Sequence, residues 1–167
     1  MRRALLSAVF GGLGLAGSAS AWMPGTADGQ PLASGCDSIQ TVPLRQHMNY
    51  AMDIQPIFDN RCANCHVEQE GSPEAGLDLN PGLSWYYLVD VPSNQDLTRT
   101  LVVPGQPLNS MLFEKLNCQT PDVGLRMPRG RIPIPIAEQA LIYDWILAGA
   151  PQESDDTVFR SQFEVRG

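Results

Sequence analysis

Two cysteines three positions apart, followed at once by a histidine, stand at Arg61-Cys62-Ala63-Asn64-Cys65-His66. Thiols at this spacing each add across one haem vinyl group to form a thioether, and the adjacent imidazole then meets the iron from one porphyrin face. Three neighbouring side chains thereby fix one c-type haem in position, orientation and axial ligation. The competing chemistries ask for more than the chain offers. A structural zinc needs two further close-set ligands, whereas the remaining Cys and His, namely Cys36, His47 and Cys118, are scattered singly. A thioredoxin-type pair belongs to a βαβ pattern, and no alternating hydrophobic strand leads into Cys62. A structural Cys62–Cys65 disulfide is the third alternative.

The elements that must position this motif are read from period and breakers. Ile54, Ile57, Phe58, Arg61 and Cys65 recur at offsets of three and four, which predicts a helix from Tyr50 to Asn60 running into the attachment site. Asp53 is its expected cap, and Pro56 falls in its first turn, where the missing N–H costs least. Gly71, Pro73, Gly76, Pro81 and Gly82 make residues 67 to 83 a loop beside the cofactor. Ser84 is expected to cap a short helix carrying Trp85, Tyr86, Tyr87 and Leu88, aromatics that either cover a haem edge or pack in the core. Leu108, Met111, Leu112 and Leu116 mark a helix over Pro107 to Leu116, with Glu114 and Lys115 on another face. Asn117 to Pro135, punctuated by Pro121, Gly124, Pro128, Gly130 and Pro133, reads as an extended rigid loop. Leu141, Ile142, Trp145 and Ile146 predict a closing helix over Ile136 to Ala148, stopped by Gly149.

Met1-Arg2-Arg3, a charge-free apolar run from Leu5 to Gly17 and the small-x-small triplet Ala19-Ser20-Ala21 predict a signal peptide over residues 1–21, cleaved after Ala21. The apolar run is short for a membrane span, so the mature chain is expected to be periplasmic, without stable membrane insertion. Cleavage removes two of the 11 Lys and Arg against 18 Asp and Glu, taking the formal charge from −7 to −9. That acidity argues against nucleic acid as a partner and favours steering toward basic ones. Residues 22–49 are expected to form an irregular N-terminal arm, residues 50–150 one domain, and residues 151–167 a polar tail. Counting pairs in an oxidising compartment leaves Cys36 and Cys118 for a disulfide. The rivals are lipidation at Cys36, where Leu32-Ala33-Ser34-Gly35-Cys36 loosely resembles a lipobox, and two free thiols. No GxSxG and no Gly-rich phosphate loop supports a hydrolase.

The sixth iron position decides function, because an open face binds or activates small ligands whereas a second protein ligand closes it for electron transfer. Met127, Met111, Met48, Met52 and His47 are the candidates. Asp53-Ile54-Gln55-Pro56-Ile57-Phe58 before the CxxCH motif, Gly76-Leu77-Asp78-Leu79, Val103-Pro104-Gly105 through Leu112, Arg126-Met127-Pro128 and Asp144-Trp145 through Ala150 together resemble successive blocks of the class I cytochrome c domains of bacterial monohaem cytochromes. The resemblance implies an all-α fold of short helices packed around one covalently bound haem, with long irregular loops. It implies Met127 as distal ligand opposite His66, and a protein that carries single electrons between a redox donor and an acceptor rather than an enzyme. Two other functions stay open: a haem enzyme or ligand sensor with a displaceable sixth position, and a fixed haem subunit of a dehydrogenase or oxidase complex. Arg126, Arg129 and Arg131 flank Met127, and one or more of them is expected near a haem propionate.

Overall fold

The computed structural model describes residues 25–67 and 73–153. The leader over residues 1–21, its cleavage point and most of the tail lie outside the described residues. Helix α5 (Ile136–Leu147) is buried nearly all round: Ala140, Ile142, Tyr143, Trp145 and Ile146 are each at most 3% exposed. Two polar side chains are buried with them, and each has partners. Gln139 donates to the Ile134 carbonyl at 2.9 Å, and the Asp144 carboxylate accepts the Arg45 N–H at 2.8 Å. The helix starts at Pro135, whose carbonyl accepts from both Glu138 and Gln139. It ends where Gly149 turns to φ 95° and Ala150 N–H returns to the Trp145 carbonyl, a stop that suits glycine because it has no Cβ.

A π-helical turn (Tyr50–Ile54) feeds α1 (Gln55–Arg61). The expected cap is corrected: Asn49, not Asp53, accepts from a first-turn N–H, that of Met52 at 3.1 Å. Asp53 reaches back to the Asn49 N–H and pairs with Arg45 at 2.7 Å. Tyr50 lies 6.3 Å from the Phe58 ring and 5.2 Å from that of Trp145, so this turn is the joint between α1 and α5. Helix α2 (Ala63–His66) continues from α1 after a break at Cys62, and α3 (Ser84–Leu88) and α4 (Met111–Asn117) complete the α-helices among the described residues. Ser84 caps nothing; its buried hydroxyl joins Tyr50 to Gln55. Leu108 falls outside α4, in a separate 3-10 turn. Among the described residues no helix is long and apolar enough to cross a membrane.

The all-α expectation is overturned by a β-hairpin. Strands β1 (Pro92–Ser93) and β2 (Asp96–Thr100) pair antiparallel, with Pro92 opposite Thr100 and Ser93 opposite Asp96. The reason is local. Ser93 Oγ accepts from the Gln95 N–H at 3.1 Å, and Asp96 accepts from both the N–H and the hydroxyl of Thr98. Such side-chain bonds close a turn, and the β-branched Thr98 and Thr100 favour the extended backbone that follows. The fold is helical with a hairpin set into it.

The arm before α1 is irregular but packed. Leu32, Ile39 and Met48 belong to the same buried cluster as α5. Cys36 and Cys118 are joined by a disulfide across 82 residues, so neither is left for the alternatives of lipidation or a free thiol. Backbone bonds from Asp37 to Asn117 and from Gln119 to Gly35 flank it.

Candidate functional site

The motif Cys62–His66 is held by its own backbone and by the loop that follows. Cys62 N–H donates to the Phe58 carbonyl at 2.8 Å, which ends α1, and the Cys62 carbonyl accepts from both Cys65 and His66 at 3.1 Å. One tight turn therefore separates the half-buried Cys62 from the exposed Cys65. Leu79 N–H donates to the His66 carbonyl at 2.6 Å, and His66 Nδ1 lies 3.2 Å from the Leu77 carbonyl. A carbonyl only accepts, so Nδ1 carries the proton and Nε2 keeps its lone pair for a metal. This is the outer-sphere contact that fixes tautomer and ring orientation in a metal-bound imidazole.

Cys62, Cys65, His66 and Met127 all line one cavity of about 450 Å³, within the range of small-molecule and cofactor sites. Phe58, Leu77, Leu79, Leu101, Leu112 and Leu116 supply its apolar wall. Met127 is set there by its N–H, which donates to the Lys115 carbonyl on α4 at 2.8 Å. The other sixth-ligand candidates do not line this cavity. Met111 and Met48 are core side chains at 1% exposure, Met52 is 79% exposed, and His47 is exposed before the π-helical turn. Of the aromatics on α3, Tyr87 reaches the cavity, while Trp85 packs against the core and donates to the Ala150 carbonyl.

The three arginines around Met127 separate. Arg126 is committed away from the cavity, to Asp37 and to the Leu116 carbonyl. Arg129 and Arg131 line the cavity, and Arg131 lies 2.9 and 3.1 Å from the Asn64 amide oxygen when that amide faces it. Arg61 forms a two-pronged pair with Glu138 at 2.9 and 2.7 Å, fastening the end of α1 to the start of α5.

The electrostatics of Cys62 narrow its chemistry. Burial first, and then the Glu138 carboxylate and Cys65, push its thiol up to about 12, with Arg61 opposing. A free thiolate at Cys62 is thereby disfavoured, whereas a thioether has no charge to desolvate. Among the described residues no three His, Cys, Asp or Glu side chains cluster as metal ligands. Two groups of cavity residues escape a reading by period. Lys115, placed with Glu114 on the polar face of its helix, is buried at 8% exposure. Ser93 and Gln95 arrive on the hairpin, whose short strands carry no long alternation.

No protein-family model, curated protein or solved structure matches this chain. The resemblance to monohaem cytochromes therefore rests on the motif blocks quoted above.

Proposed function

We propose that this chain is an exported monohaem c-type cytochrome that passes single electrons between a donor and an acceptor protein. The observation that carries the reading is the convergence of Cys62, Cys65, His66 and Met127 on one leucine-lined cavity, with His66 Nδ1 engaged by a backbone carbonyl. Cys62 and Cys65 would anchor haem c, and His66 Nε2 and the Met127 sulfur would be its axial donors. When bound, the haem supplies a one-electron ferric/ferrous couple, and a soft thioether donor favours the ferrous state. The residues of the chain do the rest. The apolar wall excludes water, the Leu77 carbonyl holds the imidazole, and the bond from Met127 to Lys115 sets the loop that carries the thioether.

The test is an optical and mass analysis of the exported protein. Expected are one haem retained through denaturing electrophoresis and, in the ferric protein, the sulfur-to-iron band near the red edge of the spectrum. Covalent haem without that band, together with ready CO binding by the untreated protein, would replace the carrier with a ligand sensor or haem enzyme. Absence of covalent haem would reject the reading altogether.

A further inference from the structure

Apart from the four haem-directed residues and the two arginines Arg129 and Arg131, the cavity is lined by further polar side chains. Lys115 lines the cavity and commits one N–H to the Val123 carbonyl at 2.8 Å. No carboxylate among the described residues is within ion-pair reach of it. An ammonium carries three donors, so two remain. Ser93, 2% exposed, accepts from the Gln95 N–H, while its own O–H and the Gln95 side-chain NH₂ have no acceptor among the described residues. The Lys115 and Gln95 side chains converge beside Gly124. A Cβ there would stand 2.9 Å from Lys115 Nζ and 3.5 and 3.6 Å from the Gln95 amide atoms, and its φ of +69° also favours glycine.

We propose that Lys115, Gln95 and Ser93 form a carboxylate clamp that holds one propionate of the haem. This rests on the haem reading above. An ionised carboxylate is acceptor-only, with about four lone-pair sites on two oxygens, and it complements donors on three side chains that line the cavity and lack acceptors among the described residues. A buried cation is costly unless it is paired, and a charge-assisted bond to a carboxylate supplies the pairing. The ligand must also be apolar over most of its surface to match the leucine wall, and a porphyrin with carboxylates on one edge has that shape. The β1–β2 turn is then part of the site, because it delivers Ser93 and Gln95.

Lys115→Gln, Lys115→Arg and Gln95→Ala are made in the exported, haem-loaded protein, and midpoint potentials are read by redox titration. Removing a positive charge beside the haem favours the ferric state. Lys115→Gln should keep covalent haem and shift the equilibrium about tenfold toward ferric, or 59 mV for one electron. Lys115→Arg should restore most of the shift, and Gln95→Ala, at an exposed turn, should move the potential less in the same direction. Should Lys115→Gln fail to accumulate, Gln95→Ala decides alone. Unchanged potentials with haem retained would overturn the clamp and leave the haem reading standing. A wild-type potential that moves with added acetate would also overturn it, since the donors would then be taking a free carboxylate. Wild-type protein lacking covalent haem would remove the functional reading, and the clamp with it.

Discussion

At Cys62 the decisive quantity is desolvation. Burial pushes its thiol up to about 12, so little of it is thiolate near neutral pH, and a thioether at this position carries no charge to desolvate. Its neighbour His66 is specialised by a single contact, the Leu77 carbonyl at 3.2 Å, which chooses the nitrogen left free. On the proposed haem reading Cys62→Ala or Cys65→Ala would remove one of two anchors, and haem staining after boiling in detergent should fall well below wild type in either variant. Met127→Ala removes neither anchor, so the protein should remain covalently loaded. Its sulfur-to-iron band should vanish, CO should bind readily, and the potential should drop by on the order of 0.1 V or more, within the roughly 0.8 V over which axial ligands move haem. A wild-type spectrum and potential in Met127→Ala would remove Met127 from the site.

Elements show where sequence reading stops. The stripe Ile54, Ile57, Phe58 located α1 but not the π-helical form of the turn over Tyr50–Ile54, and Leu141, Ile142, Trp145, Ile146 located α5, because apolar periods report burial directly. Pair-counting also reached the Cys36–Cys118 bridge. The hairpin stayed hidden because Asp96–Thr100 is half exposed and held by short-range side-chain bonds, which leave no period. Lys115 stayed hidden because its ammonium is held by the Val123 carbonyl, in a different segment. The disulfide closes 82 residues, and in the chain-entropy model such a loop is worth about 4 to 5 kcal/mol. Cys36→Ser/Cys118→Ser should lose part of this in denaturant titrations; a loss under about 1 kcal/mol would show that the Asp37–Arg126 pair and its neighbours hold the arm without it. On α5, burial pushes the Asp144 carboxyl above its ordinary 3.8, with the Arg45 N–H opposing and the Asp28 carboxylate adding. The folded state therefore binds more protons between 3.8 and the raised value, and stability falls as pH rises through that window. Asp144→Asn keeps an acceptor for Arg45 and should flatten this fall, so that the variant is no less stable than wild type at neutral pH in denaturant titrations.

The molecule as a whole is built around a space. Phe58, Leu77, Leu79, Leu101, Leu112 and Leu116 come from α1, the loop after the motif, the segment after the hairpin, and α4, and they meet on a cavity of about 450 Å³. Apolar atoms that line an unfilled space lose the contacts a close-packed core would give them. On the haem reading proposed above, a chain that closes around this space without the haem is expected to lose fixed packing while keeping most of its helix. Exported Cys62→Ala/Cys65→Ala, which retains the disulfide but neither thioether anchor, tests this at the scale of the fold. Its far-UV circular dichroism should stay near wild type, its near-UV signal should be largely lost, and it should bind the dye ANS, as compact states with loose packing do. Its thermal transition should be broad and begin well below that of the loaded protein. A sharp transition within a few degrees of wild type, with no dye binding, would mean that the leucine wall closes on itself unaided, and the cavity would then have no part in holding the fold.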